Sequence, residues 1–141
     1  MHIRPATSKD ASSLKDLLLQ LGYDQDIDKI IQGIESYGKE NYALLVSQDD
    51  RTITGFIALH WFLQFHTHQY IGRIVAFCVD EKWRSKGVGT SLLDSAEQFF
   101  RSKGCTRLEV TSNGRRIETH QYYLNRGYSA DSKRFVKYLE V

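Results

Sequence analysis

Trp83-Arg84-Ser85-Lys86-Gly87-Val88-Gly89-Thr90 is the stretch whose residue types point most directly to chemistry. Two cations stand beside two glycines, and Leu92, Leu93, Ala96, Phe99 and Phe100 follow at helical spacing. The first N–H groups of a helix have no partner within it, and the helix dipole favours negative charge there. Glycine lets a ligand approach the main chain closely. A basic, glycine-bearing turn that opens a helix therefore predicts an anion site, here the phosphates of a cofactor. The apolar run Ile71–Val79 ahead of it reads as a strand, a setting that would also suit a nucleotide site. However, Arg84-x-x-Gly87-x-Gly89 is one glycine short of the dinucleotide fingerprint. It also lacks the glycine four residues before a Gly-Lys-Ser/Thr triplet that a P-loop needs.

A second group of reactive residue types lies downstream. Asn113-Gly114-Arg115-Arg116 is followed by Thr119-His120-Gln121-Tyr122-Tyr123-Leu124-Asn125-Arg126-Gly127-Tyr128. Helical neighbours point about 100° apart, so one of Tyr122 and Tyr123 can pack while the other faces a ligand. His120 shares a face with Tyr123 through its i+3 spacing. Upstream, His66 and His68 fall on one side of an extended chain, a spacing seen in metal sites. Without a nearby carboxylate the plainer reading is a polar loop at a strand end, and no metal is expected.

The two stretches, in this order, resemble motifs A and B of the GNAT superfamily, the acyl-CoA-dependent N-acyltransferases. Motif A of that family reads Gln/Arg-x-x-Gly-x-Gly/Ala and holds the coenzyme A pyrophosphate. In motif B an Asn ends a strand, and a helix carries Ala-x-x-Phe/Tyr-Tyr-x-x-x-Gly-Phe/Tyr. Thr119 replaces the usual Ala, and Tyr128 the commoner Phe. The resemblance implies that Arg84, Ser85, Lys86, Gly87, Val88, Gly89 and Thr90 cradle the pyrophosphate of acetyl-CoA. It implies that main-chain groups of Phe77, Cys78 and Val79 bind the pantetheine arm and polarise the thioester carbonyl. Asn113 would hydrogen-bond the pantetheine amides, a turn with Gly114 being its other reading. Motif alignment selects Tyr123 over Tyr122 as the general acid. A phenol of reference pKa about 10 can protonate a thiolate of about 8.5 when the two are in contact.

Acyl transfer to an amine also needs a base, donors for the oxyanion and alignment of both substrates. Many relatives place an acidic residue near the end of the strand before motif A, where this chain has Val75 and Ala76. His60, His66, Glu109 or a chain of waters are the alternatives. The segment Leu59-His60-Trp61-Phe62-Leu63-Gln64-Phe65-His66-Thr67-His68, followed by Ile71-Gly72, resembles the aminoalkylphosphonate N-acetyltransferase branch. In that branch an acidic residue follows the glycine. Arg73 does so here, which favours a different anionic group on the acceptor. His60, Trp61, His66 and Arg73 are the candidate acceptor contacts.

These residues need a frame. His2 to Ala6 predicts a strand. Thr7-Ser8-Lys9-Asp10 has capping-box spacing, ahead of Ala11, Leu14, Leu17, Leu18 and Leu21 on one helical face, and Gly22 is placed to stop that helix. A second helix is predicted over Asp26 to Tyr37, with Ile27, Ile30, Ile31 and Ile34 as its stripe. Strands are predicted at Tyr42 to Ser47, Thr52 to Phe65 and Tyr70 to Asp80, then a helix from Gly87 to Lys103. A strand at Thr106 to Ser112, a helix over Glu118 to Arg126 and a closing strand at Lys133 to Leu139 complete the chain. The order matches the GNAT fold, an α/β (α+β) architecture: a mixed central sheet of six to seven strands flanked by about four helices. The resemblance further implies a splay between the strand feeding motif A and the next one. Strand edges left unpaired there can hydrogen-bond the pantetheine arm.

Length and composition set the bounds. At 141 residues, a single N-acetyltransferase domain over 1–141 is expected. A net charge of +2 gives no reason to invoke nucleic acid. Cys78 and Cys105 lack C-x-x-C spacing and read as buried, reduced thiols, so direct transfer through a ternary complex is expected rather than an acyl-enzyme. The opening Met1-His2-Ile3-Arg4-Pro5 lacks the apolar core of a signal peptide. The longest apolar run, Phe56 to Phe65, is too short to cross a bilayer. A cytoplasmic acetyl-CoA-dependent N-acetyltransferase with no membrane partner is therefore expected, and a homodimer is compatible with the sequence. Its acceptor would be a small-molecule primary amine bearing a charged group, such as an amino acid or aminophosphonate. The alternatives are acetylation of a protein N-terminus or lysine, a non-catalytic acyl-CoA sensor, and a nucleotide-binding module.

Overall fold

The computed structural model describes residues 1–110, 117–130 and 134–140, with backbone alone for 117–120. The chain divides into two compact units, Met1–Val110 and Thr111–Val141.

The first unit is built on β1 (His2–Pro5), β2 (Tyr42–Asp49), β3 (Thr52–Gln64), β4 (Gln69–Val79) and β5 (Cys105–Val110). They lie side by side in chain order. The first four pair antiparallel, and β5 joins β4 in parallel. Between β1 and β2 run α1 (Ala11–Leu21) and α2 (Ile27–Ser36), and between β4 and β5 runs α3 (Val88–Ser102). A parallel pair needs such a crossover, whereas β2, β3 and β4 are joined by tight turns.

Strand pleating divides the core. Phe56 and Cys78 pack with Leu14, Leu17, Ile30 and Ile34 beneath α1 and α2. Trp61, next to His60 on β3, meets Phe99 of α3 edge-on at 5.2 Å, so α3 covers the opposite face. Gly72 is required there. A Cβ at this position would lie 2.6 Å from the Phe100 ring, which is fully buried.

The predicted elements form, with boundaries moved by at most two residues, except the last; the predicted end of β5 at Ser112 lies outside the described residues. Residues 134–140 carry no strand, and the described sheet has five strands where six to seven were expected. Arg134-Phe135-Val136-Lys137-Tyr138-Leu139 has strand composition, but that composition becomes a strand only when a neighbour supplies its hydrogen bonds. Phe135 and Tyr138 are each 92% exposed. The second unit has α4 (Ile117–Asn125), ended by Gly127 in the left-handed conformation at φ 92°.

The entry to α1 is set by charge. Arg4 of β1 donates to both oxygens of Asp10, at 2.8 and 2.9 Å, and the Thr7 N–H donates to the same carboxylate at 2.8 Å. Asp10 is buried, and the Arg4 hydrogen bonds, outweighing desolvation, hold its carboxyl below the usual range. A carboxyl whose pKa is depressed by folding stabilises the fold above its unfolded value of about 3.9, and that contribution fades as pH falls through the folded value. Asp10→Asn is expected to cost about 2 kcal/mol at pH 7 in urea unfolding, with the gap to the parent protein closing below about pH 4. A gap that stays constant with pH would contradict the ion-pair account.

Candidate functional site

The basic turn lies directly after β4. Asp80 accepts from the Lys82 N–H and caps a short 3-10 turn over Glu81–Trp83. Ser85 and Gly87 then take left-handed conformations, at φ 63° and 86°. Gly87 is the N-cap of α3, and no acidic residue occupies that helix's first turn. A side chain at Gly87 would meet open space, so its glycine is needed for the backbone conformation and for close approach, not for packing. Lys86 sits with its ammonium 5.2 Å from the Trp83 ring centroid, and Arg84 Nε donates to the Val79 carbonyl at 3.3 Å. Arg84, Ser85, Lys86 and Thr90 are exposed, while Val88 is buried and holds the helix start to the core. This donor set fits an anion: main-chain N–H groups, two cations and no carboxylate in the first turn of α3.

β4 is paired unequally on its two edges. β3 matches it from Gln64↔Gln69 to Gly55↔Val79, with a bulge that gives Val75 no partner between Ala58↔Ala76 and Leu59↔Ile74. The described pairing with β5 ends at Ile74↔Val110. Phe77, Cys78 and Val79 thus lie beyond that ladder, on a stretch that no described strand joins on the β5 side. The side chains here are structural: Cys78 is buried with Sγ 3.5 Å from the Leu17 carbonyl of α1. Both cysteines are free thiols. Cys105 is only half-buried, where a buried thiol was expected, and desolvation raises its pKa.

On the α1–α2 face of the sheet, Tyr42, His60, Arg73 and Glu109 stand opposite one another across β2, β3, β4 and β5. The His60 ring stacks between Tyr42 at 4.4 Å and Phe62 at 5.6 Å. His60 Nδ1 lies 3.0 Å from the Asn41 carbonyl. A carbonyl only accepts, so Nδ1 carries a hydrogen, and in the neutral ring Nε2 is then the acceptor nitrogen. Asn41 itself is left-handed at φ 71°, and its carbonyl also accepts from the Trp61 N–H. Arg73 donates to Glu109 Oε1 at 2.8 Å and covers the Phe62 ring at 5.2 Å. Tyr37 meets Tyr42 edge-on at 5.0 Å; burial, with Tyr42 nearby, pushes its phenol pKa up.

In the second unit Tyr123 is buried on α4, its ring 5.7 Å from Tyr122 and 5.4 Å from Tyr128. The Tyr128 N–H returns to the Tyr123 carbonyl at 3.1 Å.

Residues 12–128 match the family model for the acetyltransferase (GNAT) family. The chain belongs to the GNAT acetyltransferase family. The reaction class follows: acetyl-CoA-dependent N-acetylation. The chain is 30% identical to an aminoalkylphosphonate N-acetyltransferase of Salmonella typhimurium, over 98% of this chain and 91% of that protein. Its fold is that of a GNAT family acetyltransferase from Staphylococcus aureus, with TM-score 0.83, 22% identity and 98% of both chains covered. It is also that of glucosamine-6-phosphate N-acetyltransferase from Arabidopsis thaliana, with TM-score 0.82, 22% identity, and 99% of this chain and 98% of that one covered. Among the described residues no helix is long and apolar enough to cross a membrane.

Of the expected GNAT site residues, the turn Arg84–Thr90 and Phe77–Val79 fall on consecutive elements. His60 and Arg73 are direct cross-strand partners. Trp61 is on the other face, under α3, because neighbours on a strand alternate. His66 and His68 are in the exposed β3–β4 turn, with His68 at φ 52°. No group of three or more His, Cys, Asp or Glu that could hold a metal occurs among the described residues. Asn113 lies outside the described residues, as does the His120 side chain. Sequence reasoning missed Gln20. Its amide donates to Asp80 at 3.1 Å and accepts from the Glu81 N–H at 2.9 Å, tying α1 to the start of the basic turn.

Proposed function

We propose that the Arg84–Thr90 turn seats the diphosphate of acetyl-CoA and that the acetyl group passes directly to the primary amine of a small charged acceptor, an amino acid or aminophosphonate-like compound. One observation carries the reading. Gly87 caps α3 in a left-handed conformation just after the cations Arg84 and Lys86, eight residues past the β4 stretch that no described strand joins on the β5 side. The pantetheine arm would run along Phe77, Cys78 and Val79, with Asn113 bonding its amides. Bound acetyl-CoA supplies an acetyl group activated as a thioester.

This chain's residues handle the protons. Of the candidate bases, Glu109 is engaged by Arg73 and, at 3.4 Å, by Arg107, and His66 is in an exposed turn. His60 has its acceptor nitrogen fixed by Asn41, on the same sheet face as Ala58 and Ala76. His60 Nε2 takes the proton from the acceptor ammonium, freeing the lone pair that forms the amide bond. The Tyr123 phenol gives its proton to the departing sulfur. The 30%-identical relative, named for an aminoalkylphosphonate acceptor, supports a small amine over a protein substrate.

The overall test is release of free thiol from acetyl-CoA across amino acids, aminophosphonates, polyamines and aminoglycosides. Release with none of them would overturn the reading. Gly87→Val places a β-branched residue at positive φ, at a cost of about 1–2 kcal/mol, and should raise the KM for acetyl-CoA roughly tenfold. Tyr123→Phe should lower kcat about 10²-fold while leaving coenzyme Kd unchanged in calorimetry; full turnover would remove Tyr123 as the acid. His60→Gln should also lose about 10²-fold in kcat. That loss should shrink as pH rises and the acceptor arrives neutral, a recovery that a purely structural defect would not show.

A further inference from the structure

A cavity of about 230 Å³ opens between α1, α2 and the sheet. Its walls are Leu14, Leu18, Ile30 and Ile34, and its floor includes Val75 and Ala76 of β4. Val75, in the bulge, is 49% exposed although it lies among apolar side chains. The one ionic side chain in the lining is Lys29, whose ammonium makes no ion pair or hydrogen bond among the described residues. Arg73, which could otherwise serve an anion, is held by Glu109.

We propose that the acceptor is an apolar amino acid, its branched aliphatic or aromatic side chain filling this cavity and its carboxylate facing Lys29. This rests on the transferase reading and deepens it. The floor of the cavity is the part of β4 just before Phe77–Val79, so a body seated there presents its amine to the strand along which the thioester would lie. The walls offer a bare aminoalkylphosphonate nothing to desolvate and only one cation for its charge. A polyamine would bring its charges to an apolar wall and an ammonium of like sign. The size agrees with one amino acid, being below the roughly 300 Å³ at which sites for drug-sized ligands begin.

The test compares kcat/KM by thiol release for glycine, alanine, leucine, phenylalanine, isoamylamine and 2-aminoethylphosphonate. Each buried methylene is worth roughly fourfold, so leucine should exceed alanine by tenfold or more. Leucine should also exceed isoamylamine, its decarboxylated form, and Lys29→Gln should abolish that second preference. Gly33→Leu fills the cavity from α2. Gly33 lines the cavity, a Cβ there meets nothing within 4 Å, and leucine is the better helix former, so the variant folds. It should lose leucine and phenylalanine turnover by tenfold or more and keep that of alanine. Preference for 2-aminoethylphosphonate or glycine over leucine overturns the inference and leaves the transferase reading standing. No thiol release from any amine, with leucine still binding the parent protein but not Gly33→Leu in calorimetry, sinks the transferase reading and keeps the cavity's occupant. Neither release nor binding sinks both.

Discussion

A buried peptide group without a hydrogen-bond partner costs about 1–3 kcal/mol, so a strand is ordinarily paired along both edges or placed at a sheet's rim. β4 is neither. It is interior to the sheet as far as Ile74, and beyond that residue only β3 is described beside it. The position of the candidate site follows from this inequality. That stretch ends at Val79, whose carbonyl takes Arg84 Nε, and a short 3-10 turn leads the chain on to Gly87 and the start of α3. A segment that no described strand joins on one edge is thus followed within ten residues by a helix start that has spare N–H groups of its own. The bulge at Val75 adds to this by breaking the register where the strand changes partners.

The long β3–β4 hairpin sorts side chains by parity. His60 and Arg73 are brought to the α1–α2 face, whereas Trp61 and Gly72 are sent under α3. The row Tyr42–His60–Arg73–Glu109 sets two stacked rings beside an ion pair across four strands. Arg73 is consequently less an anion clamp than part of this lattice, with Glu109 on one side and the Phe62 ring on the other.

Much of this was legible in the residues. The turn at Gly87 and Gly89 announced itself by composition, and the apolar periodicities of α1, α2 and α3 placed them within three residues. Pairing was less legible. Arg134–Leu139 has the composition of a strand, yet strand formation depends on a neighbour that composition does not name. The bulge is invisible for a related reason, since a one-residue slip in Ile71–Val79 leaves the apolar run unchanged. Glu109 and Arg73 are 36 residues apart in sequence and meet only through the parallel register. Gln20 was unreadable because a glutamine on the polar side of a helix usually faces solvent.

The two helices over the candidate acceptor face are held in different ways. α1 is fastened along its length: at its start by Asp10 to Arg4, in its last turns by the Leu17 carbonyl to Cys78 and by Gln20 to the loop after β4. α2 is capped by its own Asp26 and otherwise lies on the sheet through its isoleucines. Changes on α1 would disturb the basic turn after β4 as well as the face that α1 covers. α2 can therefore be altered with less effect on the loop after β4, and a redesign of that face should begin there.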